Sequence, residues 1–163
     1  MDPISLGEGV ARMAMAALLG GVLGVQRETK GKPAGLKTHM MVSLGSAAFT
    51  VLTLQIFHTY TGSIENARSD PLRIIEGVVG GIGFLGAGSI IQARGAVRGI
   101  TTAAGIWVVG SVGISCGIGN YYLAAVIAAM AFAILTVFEW IERRYVRGEP
   151  ERPAESGKEP GQG

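Results

Sequence analysis

DPLRIIEGVVGGIGFLGAGSIIQARGAVRGITTA, residues Asp70 to Ala103, is the stretch on which the fold turns, because an acidic group, Glu76, sits inside a glycine-rich apolar run. The part from Ile74 to Gln92 is apolar enough to enter a bilayer, where an ionised carboxylate is costly and normally faces a protein interior or a wet cavity. Four more segments of the same kind surround it: Ser5 to Val25, Met40 to Tyr60, Thr101 to Gly119 and Tyr121 to Trp140. Each approaches the roughly 20 apolar residues with which a helix spans a membrane. The composition of the 163-residue chain points the same way, with 48% hydrophobic residues, 26 glycines and a mean hydropathy of +0.40. Glycine at that frequency weakens a soluble helix but lets membrane helices approach closely. The expected fold is all-α, a polytopic transmembrane bundle of about five glycine-rich helices.

Basic residues orient the bundle. Arg27, Lys30, Lys32 and Lys37 lie between the first two segments, Arg94 and Arg98 between the third and fourth, and Arg143, Arg144 and Arg147 after the fifth, whereas the opposite side carries only Arg68 and Arg73. The positive-inside rule then places the N-terminus out and the C-terminus in. Tyr60, Tyr121 and Tyr122 near the outer boundary and Trp140 near the inner one fit interfacial aromatic belts. Asp2 and Glu8 stand where a cleavable signal carries basic residues, so the first helix is expected to stay in the mature protein. Residues 1–145 read as the transmembrane domain. Residues 146–163, rich in proline, glycine and mixed charge, read as a disordered cytoplasmic tail. The net charge of +2 says little about partners. Lipid bilayer is the expected surrounding, with a membrane-protein partner or a homo-oligomer fitting the glycine-rich faces and no nucleic acid. The lone Cys116, inside an apolar segment, reads as a packing residue.

At about 100° per residue Glu76, Gly80, Gly83 and Ala87 share one face of the third helix. Gly77 with Gly81, Gly113 with Gly117, and Gly20 with Gly24 form small-xxx-small pairs. Close contact with neighbouring helices is expected at all of them. The alternative is that GFLGAG, Gly83 to Gly88, interrupts its helix to offer backbone groups to a ligand. Gly81, Gly83 and Gly86 also spell G-x-G-x-x-G, but no strand precedes the motif and no acid follows at the required distance, so it is not a dinucleotide site. Asp70 before Pro71 suits a helix start, and Asp70, Arg73 and Glu76 at three-residue steps form a charge ladder able to lead an ion inward. Glu8 and Arg12 stand four apart in the first helix, and Arg12 reaches a depth comparable with Glu76, which makes an Arg12–Glu76 pair across helices a candidate. Near the cytoplasmic helix ends Arg27, Glu28, Lys37, Thr38, His39, Arg98, Thr101 and Thr102 collect into a basic, hydroxyl-bearing rim suited to orientation and to anionic lipid. His39, at a helix entrance, reads as a capping or interfacial residue.

Enzymatic motifs are missing. The chain has no G-x-x-x-x-G-K-[ST] loop, no H-E-x-x-H and no Ser/His/Asp set within the spans, and two histidines with one cysteine leave little for transition-metal chemistry. A non-enzymatic protein without a cofactor is expected. Magnesium stays open, since it keeps several waters and needs only one or two carboxylates, for which Asp70 and Glu76 are the candidates.

GGVLGVQRE (Gly20 to Glu28), GLKTHMMVSLGSA (Gly35 to Ala47), DPLRI followed by GGIGFLGAGSI (Asp70 to Ile90), and VRGITTAAGIWV (Val97 to Val108) together closely resemble the MgtC/SapB family of bacterial inner-membrane proteins. The resemblance covers nearly all five segments. It implies a multi-pass protein of the inner (plasma) membrane linked to magnesium limitation and stress adaptation, acting by regulation of another membrane complex such as ATP synthase; the alternative is a magnesium or other cation transporter using Asp70 and Glu76. Carried over by motif, the positions of interest are Arg27, Glu28, Lys37, Thr38, His39, Asp70, Arg73, Gly83, Gly86, Gly88, Arg98, Gly99, Thr101 and Thr102. Lys37 stands where the family usually has arginine, losing a planar bidentate fork. Glu76 stands where many relatives carry an apolar or small residue. The likeness is to a short form, without the soluble C-terminal domain of longer members.

Overall fold

The computed structural model describes residues 4–61, 71–93, 96–141 and 144. Five helices follow one another, α1 (Leu6–Thr29), α2 (Leu36–Thr61), α3 (Pro71–Gly88), α4 (Ile100–Gly117) and α5 (Tyr121–Ile141). A short antiparallel hairpin, β1 (Ile91–Ala93) with β2 (Ala96–Arg98), joins α3 to α4 and sets Ile91 opposite Arg98 and Gln92 opposite Val97. Local chemistry fixes the helix starts. Ser5 accepts the Glu8 backbone N–H at 3.2 Å, capping α1, and Asn120 accepts the Leu123 N–H at 3.0 Å, capping α5. Pro71 occupies the first position of α3, where its missing N–H costs nothing. Gly99 and Gly119 hold φ of +92° and +86° at the turns before α4 and α5, a region that side chains rarely adopt.

Four helices are long and apolar enough to cross a bilayer: α1, α2, α4 and α5. In α3 the apolar part runs only from Ile75 to Gly88, about 21 Å at 1.5 Å per residue against a hydrocarbon core of about 30 Å. The expected five segments are thus all helices, and the third is the short one.

Helices α1, α2 and α4 form the centre; α5 packs on α1 and α4, and α3 packs on α4 and α2. The core is made of small side chains, with Ala16, Ala47, Val112, Cys116 and Ala124 wholly buried. Glycine explains how the helices come so close. A Cβ at Gly20 would lie 2.7 Å from the His39 carbonyl oxygen, and one at Gly24 would lie 2.6 Å from the Leu36 Cα. At Gly113 and Gly117 of α4 it would run into the Ser43 carbonyl and the Thr50 side chain of α2. The face of α2 lying in this contact carries buried hydroxyls. Ser46, Thr50 and Thr53 donate to the Val42, Ser46 and Phe49 carbonyls at 2.7, 2.7 and 2.6 Å, so they enter the core already satisfied.

Several expectations are corrected at α3. Gly80 and Gly83 meet nothing within 4 Å where a Cβ would stand, and Glu76 and Ala87 are exposed, so the face they share is open instead of packed. Only Gly86 approaches a neighbour, 3.3 Å from the Ala103 carbonyl oxygen. The helix also runs unbroken through GFLGAG to Gly88. Arg12 does not pair with Glu76. Its guanidinium donates to the Gly117 carbonyl at 2.7 Å and to Glu8 one turn earlier, since α1 packs on α2, α4 and α5 while α3 lies against the far sides of α2 and α4. Asp70, and with it the outer step of the charge ladder, lies outside the described residues, as do Arg94 and residues 146–163. At the two ends of α5 Tyr121 and Tyr122 are exposed, as is Trp140, over whose ring Arg144 stands at 5.9 Å.

Gly113→Ala is expected to destabilise the protein by about 1–3 kcal/mol, because the backbone of α2 must move to admit the methyl group. Gly80→Ala, in open space, gains about 0.5–1 kcal/mol of helix propensity. Thermal unfolding in detergent checks the pair, and equal shifts would contradict the packing. In double-mutant cycles Arg12 and Glu8 are expected to couple by about 0.5 kcal/mol, with no coupling between Arg12 and Glu76.

Candidate functional site

At the end of the bundle that carries the α1–α2 loop and the hairpin, polar side chains from three central helices converge. Arg27, in the last turn of α1, is 4% exposed and donates from Nη2 to Thr102 Oγ1 of α4 at 2.6 Å. Thr102 is itself buried, one turn into α4 after the left-handed Gly99.

His39 completes the cluster from α2. It is wholly buried, which corrects the expectation of an interfacial residue. Its Nδ1 faces the Gly35 carbonyl at 2.9 Å and, because a carbonyl only accepts, carries a proton. The other nitrogen, Nε2, points toward Gly105 of α4 and has no hydrogen-bond partner among the described residues, and neither does Ser43 Oγ one turn further along α2. Gly105 makes room for this imidazole from α4, and Gly20 lets α1 approach the His39 backbone. Beside it, Glu28 closes the α1–α2 loop by accepting the Leu36 N–H at 2.7 Å, a carboxylate at the start of a helix where the dipole favours it. Gln26 of α1 reaches the Leu135 carbonyl of α5 at 3.4 Å.

The anticipated rim therefore divides. Arg27, His39 and Thr102 are drawn into the core and Glu28 braces their loop, whereas Lys37, Arg98 and Thr101 remain exposed. Thr38 is half-buried at one end of a groove between α2 and α3, with exposed Arg73 at the other end. Gly83 and Gly88 line open space, and Gly99 serves the turn into α4. Sequence reasoning passed over Ser43, Gly105 and the hydroxyl stripe. The signal was present, because His39, Ser43, Ser46, Thr50 and Thr53 recur at alternating four- and three-residue steps along one helix face.

The chemistry of the cluster follows from its donors and acceptors. The Arg27 guanidinium donates to electronegative groups, and His39, with its proton on Nδ1, leaves Nε2 as an acceptor. Among the described residues no three His, Cys, Asp or Glu side chains gather as a metal site. Glu8, Glu28 and Glu76 are exposed.

The sequence matches the model of the MgtC family over residues 13–144. It is 36% identical over 142 residues to an uncharacterised protein of Haemophilus influenzae, which covers 84% of this chain and 60% of the relative. It is 37% identical over 137 residues to YhiD of Escherichia coli K12, a protein whose name proposes magnesium transport, with 84% of this chain and 63% of that protein covered. Protein MgtC of Brucella abortus is 39% identical over 124 residues, 76% of this chain and 48% of the relative. The chain thus spans about three fifths of the length of the first two relatives. No solved structure matches it. The matched region begins inside α1 and runs past the end of α5, taking in all but the first turns of the multi-pass bundle together with its polar cluster, and the chain belongs to the MgtC family.

Proposed function

We propose that this protein serves magnesium homeostasis and stress adaptation from the bacterial inner membrane as a non-enzymatic regulator of another membrane complex. The observation that carries the reading is the make-up of the buried polar cluster, in which Arg27, His39 and Thr102 lie together while Glu8, Glu28 and Glu76 are exposed. Magnesium is a hard cation that takes oxygen ligands and gives up water reluctantly. A conduit for it needs carboxylates or carbonyls along its path, whereas Glu76 stands on the open face of α3.

A regulator needs a surface for its partner. The open face of α3 supplies one, with Phe84 83% exposed beside Gly80, Gly83 and Ala87. Small residues on such a face permit close approach of another membrane helix. The orientation we adopt is N-terminus out and C-terminus in, supported by Lys30, Lys32, Lys37 and Arg98 at the end that bears the polar cluster. ATP synthase is the partner complex named by the family resemblance. The second reading, cation transport through Asp70 and Glu76, is favoured by the name of the Escherichia coli relative.

Reconstitution separates the two. Liposomes holding a magnesium-sensitive dye are expected to take up the ion no faster with the protein than without it, and Asp70→Asn and Glu76→Gln change nothing. Uptake that Glu76→Gln abolishes would establish the transporter instead. In inverted membrane vesicles the chain is expected to lower ATP-driven proton pumping, and unchanged pumping would remove ATP synthase as the partner. Thr102→Val removes one charge-assisted hydrogen bond from the Arg27 guanidinium and is expected to cost about 2 kcal/mol in thermal unfolding. The same variant is expected to lose growth support at low magnesium, whereas Thr101→Val, on the exposed side of the turn, retains both.

A further inference from the structure

A groove of about 830 Å³ runs between α2 and α3, bounded almost wholly by apolar atoms. Its floor is glycine. Gly45, Gly77 and Gly81 line it, and a Cβ on any of them would meet nothing within 4 Å. Phe49 and Leu85 stand along its edges, both more than half exposed. Arg73 is the one charged residue among those lining the groove, and among the described residues it makes no ion pair. Glu76, three residues further along α3, is not part of the lining.

We propose that this groove binds one membrane phospholipid, with an acyl chain laid along Gly45, Gly77 and Gly81 and the phosphate held by the Arg73 guanidinium. Length, polarity and charge agree. From Arg73 to Leu85 the α3 wall measures about 18 Å at 1.5 Å per residue, which fits one leaflet of a hydrocarbon core about 30 Å thick. The groove opens sideways between helices that face the bilayer, so hydrocarbon is the medium that reaches it. Arginine at the far end supplies a planar fork matched to phosphate oxygens, and it lies where a chain seated in the groove would meet its headgroup. The short apolar stretch of α3 brings this cation to the level of a leaflet boundary while α2 continues beyond it. The inference is independent of the regulatory reading, because either a regulator or a transporter can carry a structural lipid.

Native mass spectrometry of the full chain, with phosphatidylglycerol or a diacylglycerol of identical chains added to the detergent, tests it. The wild type is expected to retain phosphatidylglycerol about tenfold more tightly than the diacylglycerol, the size of one charge-assisted contact. Arg73→Gln erases that preference and leaves diacylglycerol binding unchanged. The double variant Gly77→Leu, Gly81→Leu, at positions where a Cβ meets nothing within 4 Å, fills the groove, keeps its helical circular dichroism and loses both lipids by at least tenfold. A preference that survives Arg73→Gln, or wild-type lipid retention in the filled groove, overturns the proposal. So does a filled groove that converts an oligomer to a monomer with lipid retention intact, an outcome that makes a second copy of the chain the occupant.

Discussion

The contact between α4 and α2 at Gly113 and Gly117 is the constraint on which the rest of this bundle depends. It leaves no space for a Cβ, and α1 repeats the arrangement with Gly20 and Gly24 against the start of α2. In a bilayer, lipid tails solvate apolar side chains about as well as other helices do, so association has to come from close van der Waals contact and polar groups. Glycines supply the first. The hydroxyls of Ser46, Thr50 and Thr53 sit in the same contact and back-bond to their own helix, so they cost no unsatisfied polar group. With α1, α2 and α4 locked this way, α3 and α5 attach as outer helices, and the groove exists because α3 does not share the glycine-mediated contact with α2.

The same close approach explains how Arg27 is tolerated in the core. It donates to a threonine hydroxyl of α4, within reach because α1 and α4 both crowd against α2 at the level of His39 and Gly105. Guanidinium and hydroxyl donors suit this polar cluster to electronegative groups, whether from lipid, peptide backbone or a partner's acidic side chain.

Much of this was legible in the sequence, for identifiable reasons. The five helices follow from apolar length, and their observed bounds differ from the expected ones by a few residues at the ends. Gly20 with Gly24 and Gly113 with Gly117 were read correctly as close-contact pairs, and Cys116 as a packing residue. By the same rule Gly77 and Gly81 were expected in a contact they do not make, and Gly80 and Gly83, expected to pack through the face they share with Glu76, make none either. Helical periodicity says which residues share a face, and it is silent on whether a neighbour covers that face. His39 illustrates the converse. A histidine near a helix start looks interfacial until the four- and three-residue spacing that joins it to Ser43, Ser46, Thr50 and Thr53 is followed inward.

Depth was better foretold than proximity, and the case of Glu76 shows why. Ile82 meets Gly110 and Gly86 meets Ala103 across the antiparallel α3–α4 contact. Six residues back from Ile82, about 9 Å along the axis, Glu76 arrives at the level of Gly117. Arg12 donates to the Gly117 carbonyl, so the acid and the arginine do stand at one height. They are nevertheless separated by the body of the bundle, since α3 packs on α2 and α4 whereas α1 packs on their other side. A rise per residue measures position along an axis and leaves the angle around the bundle undetermined. That angle is set by which helices own the glycines. Because those glycines lie on α1 and α4, Arg12 is recruited to the centre as the cap of the α4 end, and Glu76 is left on the periphery, facing whatever the membrane presents to α3.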